Sequence, residues 1–253
     1  MPAAPPTSWE NVADWYGKHQ EETGTLLASV VYPGALKLLA PKSGASYLDV
    51  ACGEGAFSRL VAARTKGHVS GFDAAPSLIA IAKKQALKHA AYAIADARAF
   101  SKLYPLNSFD GATCLLAIQN IDEPGKVFQE ASKALKPAGT FVVVMNHPAF
   151  RVPGASSWGY EGNAKMFRRV DRYLSALEIP IQAHPGTDPT VKTVSYHRPI
   201  SSYVNALADA GFAVTRMEEW TSNRVSKPGA RAKAENLSRK EIPMFLAIKA
   251  TKV

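Results

Sequence analysis

Between residues 46 and 146 short β-like runs alternate with amphipathic helical patterns, four β-α steps in all. Such alternation confines the chain to a parallel sheet flanked by helices, because parallel neighbours need a crossover and the crossover helices bury the faces of the sheet. The pattern predicts strands at Ser46–Val50, His68–Phe72, Ala91–Ala95, Phe109–Leu116 and Thr140–Met145. The fourth carries Ala-Thr-Cys-Leu-Leu, a run suited to burial on both faces. Between them, Phe57, Leu60 and Val61 share one helical face, Pro76 opens a helix to about Lys88, and Asp122 is read as the N-cap of a helix with Phe128, Ala131 and Leu135 on one side. Lys136-Pro137-Ala138-Gly139 is expected to stop that helix before the fifth strand.

The flanks read differently. Residues 1–8 are rich in Pro and Ala and are expected to be a disordered leader, and 9–40 keep helical spacing with breaks at Gly24 and Pro33-Gly34, a helical cover for the 46–146 core. Residues 147–197 hold Pro, Gly, Trp and charges, with one amphipathic helix suggested by Phe167, Val170, Leu174 and Leu177, and are read as an inserted lid. The 198–253 segment supplies a helix over Ile200–Ala210 and two strands, Phe212–Trp220 and Ile242–Ala250, expected to close the sheet as an antiparallel pair. All of this is assigned to a single domain of 253 residues.

Composition removes several classes. With 47% hydrophobic and 20% charged residues, the chain is unlike a disordered, collagenous or coiled-coil sequence. The most apolar stretch, Thr25–Ala40, is interrupted by Pro33, Gly34 and Lys37, so no membrane span is expected. The first residues lack the basic and apolar regions of a secretion signal, which gives a cytoplasmic expectation. Cys52 and Cys114 are too few for a disulfide framework or a multi-cysteine zinc site. A net charge of +9 admits nucleic acid, an anionic membrane or an acidic small molecule as partner, and 221–240 concentrates six basic residues against Glu235 alone. A solvated loop or helix is the default reading of that segment.

The most informative stretch is Tyr47-Leu48-Asp49-Val50-Ala51-Cys52-Gly53-Glu54-Gly55-Ala56-Phe57, where the first strand passes into the first helix. Gly53 and Gly55 allow a sharp turn and a ligand against the main chain near the helix N-terminus. Asp73, 18 residues beyond Gly55 at the end of the second strand, is placed to accept both ribose hydroxyl protons. A dinucleotide site would want a third glycine, or an alanine, where Ser58 stands, and Glu54 inside the turn opposes a pyrophosphate. An oxidoreductase is therefore disfavoured, while Asp49 suits a cofactor with a positively charged amino-acid end.

The order Asp-x-Ala-Cys-Gly-x-Gly at 49–55, Gly71-Phe72-Asp73 and Ala95-Asp96-Ala97 resembles class I S-adenosylmethionine-dependent methyltransferases of the small-molecule type. Ser108-Phe109-Asp110-Gly111 and Leu135-Lys136-Pro137-Ala138-Gly139-Thr140 extend the resemblance, which spans Trp9 to Met145. It implies an α/β, Rossmann-like, doubly wound seven-stranded sheet of order 3-2-1-4-5-7-6 with strand seven antiparallel. It also implies S-adenosylmethionine as cofactor and S-adenosylhomocysteine as product. Carried over by position, Asp49, Ala51, Cys52, Gly53 and Gly55 contact the methionine part, Asp73 holds the ribose, Asp96 bonds the adenine amine beside Ala97, and Tyr16 reaches the cofactor from the N-terminal helix. Ala51 stands where the family often has glycine.

Methyl transfer is an in-line displacement, so positioning can suffice and a base is needed only for an acceptor protonated at working pH. Acceptor residues are expected beyond strands four and five. There Gln119 and Asn120 can hydrogen-bond but not titrate, which moves the role of base to His147. Arg151, His197 and Arg198 are read as facing one another across a pocket, with Trp158 as a flat wall, a set suited to a planar acceptor bearing a carboxylate or phosphate. The alternative for the arginines is pairing with Asp171, Glu161 or Glu219. A small-molecule acceptor is thus expected, without metal and with the oligomeric state open. A nucleic-acid methyltransferase would use the positive charge, but Ala117-Ile118-Gln119-Asn120 replaces the Asp/Asn-Pro-Pro-Tyr run of base-methylating enzymes. A cofactor-binding regulator without chemistry is the third reading.

Overall fold

The computed structural model describes residues 9–10, 24–182 and 192–253. A π-helical turn, Leu27–Val31, runs into α1 (Tyr32–Leu39). The core follows as β1 (Tyr47–Val50), α2 (Ala56–Thr65), β2 (Val69–Asp73), α3 (Pro76–Lys84), β3 (Ala90–Ile94), β4 (Phe109–Leu115), α4 (Pro124–Ala134) and β5 (Leu135–Asn146). Four further strands, β6 (Ser156–Glu161), β7 (Lys165–Val170), β8 (Leu177–Gln182) and β9 (Lys192–His197), precede α5 (Ile200–Asp209), β10 (Phe212–Trp220), α6 (Ala232–Glu241) and β11 (Phe245–Lys252).

Seven strands form one sheet in the order β3-β2-β1-β4-β5-β11-β10. The first five are mutually parallel, and β11 runs antiparallel to both β5 and β10. This is the doubly wound seven-stranded arrangement expected above, with the antiparallel closing pair. Side chains alternate along β5: Phe141, Val143 and Met145 bury against Phe128, Tyr203 and Leu207 on one face, while Val142 and Val144 join the other core with Leu38, Phe57 and Val61. Period-two burial to both faces is why the strand reads as one continuous apolar run.

Local chemistry sets the boundaries. Pro76 and Pro124 sit in the first turns of α3 and α4, where a missing N–H costs nothing. The Asp110 carboxylate accepts from the Ser46 backbone N–H at 2.8 Å and from Lys136 Nζ at 2.6 Å, tying the start of β4 to the strands on either side. Strand β5 begins earlier than the sequence suggests. Leu135 already pairs with Phe109, residues 136–139 bulge outward with Ala138 at φ 61°, and pairing resumes at Thr140 with Gly111.

Three expectations are corrected. The amphipathic helix drawn through Phe167, Val170, Leu174 and Leu177 does not form; β6–β7 and β8–β9 are antiparallel hairpins in separate two-stranded sheets. The residues of β7 alternate exposed and half-buried, Leu174 is 78% exposed, and Gly162 at φ 58° makes the β6–β7 turn, so a period of two wins over the apparent helical spacing. The basic 221–240 segment contains α6, which delays the last strand from Ile242 to Phe245. Asp122 does not cap α4: the cap position is Glu123, without a side-chain bond, and Asp122 is taken by Arg98. Residues 1–8 and Tyr16 lie outside the described residues. No helix of the described residues is long and apolar enough to cross a membrane.

Candidate functional site

The carboxyl ends of the parallel strands carry the site. Leaving β1, the chain turns through Ala51 (φ 54°), Gly53 (φ 56°) and Gly55 (φ 76°) into α2. A Cβ on Gly55 would fall 2.7 Å from the Tyr92 ring, so glycine alone fits there. Ala51 takes the left-handed conformation without glycine's freedom, at a cost of about 1 kcal/mol.

Three carboxylates surround this turn. Asp49 is buried beneath it, with Oδ2 accepting from Ser58 Oγ at 2.6 Å and Oδ1 from Thr113 Oγ1 at 2.8 Å. Burial outweighs those hydroxyls and pushes its pKa up to about 6. Glu54, 4% exposed, is pushed up to about 7 by burial, with Asp49 and Asp73 adding repulsion. Asp73 accepts the Gly53 N–H at 3.0 Å through Oδ2 and the Ala75 N–H at 2.9 Å through Oδ1. One accepted bond leaves each oxygen a lone pair for a ligand. Burial raises its pKa against the pull of those amides.

Asp96 is held differently. Arg98 grips it through Nε at 3.0 Å and Nη2 at 2.6 Å, and Arg98 Nη1 reaches Asp122 at 2.8 Å, bridging the segments after β3 and β4. The guanidinium bonds hold Asp96 below the ordinary carboxylate range. Sequence reading missed Arg98; the signal was an Asp-x-Arg step after β3 with a second aspartate after β4.

These groups line one cavity of about 350 Å³, within the range of small-ligand sites. Asp49, Ala51, Cys52, Gly53, Glu54, Asp73, Asp96 and Ala97 all contribute to its wall. Trp9, Leu27 and Tyr32 line it from the N-terminal side, Leu116, Ala117 and Asn120 from the loop after β4, and Val194 and Tyr196 from β9. Trp9 also packs on Leu78, and Glu10 accepts the Ser77 N–H at the start of α3 at 3.2 Å.

Other predicted residues lie apart from that lining. His147 is 1% exposed; its Nδ1 accepts the Ala149 N–H at 3.2 Å, so Nε2 carries the proton and donates to Glu219 Oε1 at 2.7 Å. Burial lowers its pKa, against the pull of Glu219. Gln119 donates to the Leu116 carbonyl at 2.6 Å and leaves Oε1 buried without a partner. Arg198 donates to the carbonyls of Ile121 and Asp122 and lies over the Tyr196 ring, while His197 contacts the Tyr173 carbonyl through Nε2. Trp158 lies under Arg168 on the β6–β7 hairpin, and Arg151 follows the end of β5. The four arginines and histidines thus do not converge on a single pocket.

A family model described as a methyltransferase domain matches residues 48–143. A solved S-adenosylmethionine-dependent methyltransferase from Mesorhizobium loti superposes with a TM-score of 0.71 at 26% identity, covering 90% of this chain and 99% of that one. Residues 48–143 thus match a methyltransferase domain, and the fold around them is that of a solved S-adenosylmethionine-dependent methyltransferase. The chain is also 31% identical over 116 residues to the ubiquinone biosynthesis O-methyltransferase of Xanthomonas campestris, across 44% of this chain and 46% of that protein. A demethylmenaquinone methyltransferase of Listeria welshimeri is 25% identical over 196 residues, or 72% and 75% of the two chains. The chain spans about half the length of the first of these curated relatives.

The cofactor of this domain class, S-adenosylmethionine, fits the donor set present. Its cationic sulfonium and ammonium suit a wall with Asp49 and Glu54 and no phosphate-binding cation in the turn, and its ribose hydroxyls suit the free lone pairs of Asp73. A pyrophosphate would meet Glu54 instead.

Proposed function

We propose that this chain transfers a methyl group from S-adenosylmethionine to a small, flat acceptor. The observation that carries the reading is the single cavity in which the glycine turn and carboxylates of the methyltransferase domain meet a second wall from outside that domain, formed by Tyr196, Val194, Tyr32 and Leu27. The relatives' names, ubiquinone biosynthesis O-methyltransferase and demethylmenaquinone methyltransferase, support a ring-bearing acceptor.

The bound cofactor supplies an electrophilic methyl group on a sulfonium. The residues of the chain then have a positioning task. Asp73 takes the ribose hydroxyls, Asp96 the adenine amine with Ala97 beside it, and the turn from Asp49 through Ala51, Cys52, Gly53 and Gly55 the methionine part. Asn120 and the Tyr196 ring orient the acceptor so that its nucleophile lies in line with the methyl carbon; effective molarity from such alignment supplies up to about 7–11 kcal/mol of barrier lowering. Tyr196 and Val194 also exclude water, the covering role assigned to 147–197. His147, with both ring nitrogens engaged away from the cavity, fixes the end of β5 to Glu219 on β10 and takes no proton from the acceptor. Acceptors ionised or nucleophilic at working pH are therefore favoured.

The test is turnover with methyl-labelled S-adenosylmethionine across a panel of hydroxylated and quinol-type ring compounds. Label entering one ring class, and falling at least tenfold in Tyr196→Ala, supports the proposal. Label entering RNA or DNA while every small compound stays unlabelled would overturn it.

A further inference from the structure

Arg151, in the turn that follows β5, is half-buried, and among the described residues its guanidinium makes no hydrogen bond or ion pair. Its neighbour in charge is another arginine. Arg168 on β7 donates through Nε to the Phe150 carbonyl at 2.6 Å and through Nη2 to Ser156 Oγ at 2.6 Å, with its guanidinium 5.2 Å over the Trp158 ring. Burial and the nearby Arg151 charge both press on the Arg168 proton, and no carboxylate of the described residues acts on either group.

The carboxylates of this region are engaged elsewhere. Asp171 pairs with Arg169 at 2.6 Å, Glu161 with Lys165 at 3.2 Å, and Glu219 with His147 at 2.7 Å. Two partly desolvated guanidiniums within each other's field, neither with an anionic partner, are costly, since buried charges in proteins are normally paired. Arg168 is held in place by two neutral acceptors and an aromatic ring, an arrangement that orients a guanidinium without neutralising it. Arg151 keeps all its donors.

We propose that Arg151 and Arg168 form an anion site, distinct from the cofactor cavity, that takes the carboxylate or phosphate group of a small molecule. A planar oxyanion group matches the guanidinium fork in two parallel bonds, with Ser156 fixing the angle of Arg168. The site lies past the carboxyl end of β5, the side on which doubly wound sheets take their ligands. Assigning the anion to the acceptor itself rests on the methyltransferase reading above; the anion site does not.

The experiment is thermal unfolding of the whole chain in inorganic phosphate, and separately in phenyl phosphate, each against sodium chloride of equal ionic strength. Wild type is expected to gain about 3 °C or more at saturating phosphate. In Arg151→Met the gain disappears, while its midpoint in chloride equals or exceeds that of wild type, because an unpaired charge has been replaced by an apolar chain of similar length. Arg168→Lys, which loses the fork, is expected to keep less than half of the gain. Titration of Arg151→Met with S-adenosylhomocysteine should match wild type, so failure of the anion site and failure of the cofactor reading are distinguishable. Absence of a phosphate-specific shift in wild type, or an equal shift in Arg151→Met, overturns the site. A short single-stranded RNA that stabilises through Arg151 at a hundredth of the phosphate concentration overturns the small-molecule source.

Discussion

Glu54→Gln isolates the electrostatics of the glycine turn. Glu54 is 4% exposed between Asp49 and Asp73, and its pKa is held at about 7 against an ordinary 4.5. At about 1.4 kcal/mol per pH unit, keeping the carboxylate ionised in the folded chain costs about 3 kcal/mol. Because the folded-state value is raised, the cost is absent below the unfolded value of 4.5, where both states are protonated, and grows to its full size as pH rises through 7. Glutamine removes the charge while keeping the shape. Urea denaturation at pH 5 and pH 8 should therefore find Glu54→Gln more stable than wild type by about 3 kcal/mol at pH 8 and by less than about 1 kcal/mol at pH 5. Titrating groups outside the turn cancel in the difference between the two proteins, while Asp49 and Asp73, freed of the Glu54 charge, ionise more easily in Glu54→Gln and act in the same direction. An equal gain at both pH values, or none at pH 8, refutes the argument. The same ionised group faces the cationic end of the cofactor, so S-adenosylmethionine should bind wild type more tightly at pH 8 than at pH 6, with a smaller change in Glu54→Gln.

Three other substitutions probe the site. Asp73→Ala removes the ribose acceptor and strands the Gly53 N–H, and calorimetry should find S-adenosylhomocysteine affinity at least tenfold lower, as expected for about 1.5–3 kcal/mol of charged hydrogen bonding; unchanged affinity removes the ribose role. His147→Gln should lower stability by about 1–3 kcal/mol through its buried partners and leave kcat within threefold of wild type. A folded His147→Gln with more than a tenfold loss of kcat would restore His147 as the base. Ala51→Gly relieves the left-handed backbone and should raise stability by up to about 1 kcal/mol without loss of cofactor binding, whereas destabilisation would mean the turn tolerates alanine without strain.

The sheet was legible because its signals are local. Pro76 and Pro124 mark helix starts, Gly211 ends α5, and the double-faced apolar run of β5 has no other comfortable home. The glycine turn and Asp73 were legible for the same reason: their roles follow from backbone freedom and spacing. The insert was not. Phe167, Val170, Leu174 and Leu177 lie at helical intervals, but the hairpin is decided by Gly162 in its turn and by packing of the β6–β7 pair, where the Phe167 ring covers Gly159 so closely that a Cβ there would meet it at 2.4 Å. Partner choice was equally hidden. Sequence places His147, Arg151, His197 and Arg198 near strand ends, yet Glu219, the Ile121 carbonyl and the Tyr173 carbonyl, 24 to 77 positions away in sequence, determine where three of them point. Arg98 was overlooked because its two aspartates lie after different strands.

Calorimetric titration of the purified protein with S-adenosylhomocysteine, with NAD titrated in parallel, decides whether the carboxylate-lined cavity is an S-adenosylmethionine site. A single micromolar site for S-adenosylhomocysteine is expected, weakened in Asp73→Ala, with no heat from NAD. Binding of NAD in preference, or no binding of S-adenosylhomocysteine by the folded chain, would contradict it.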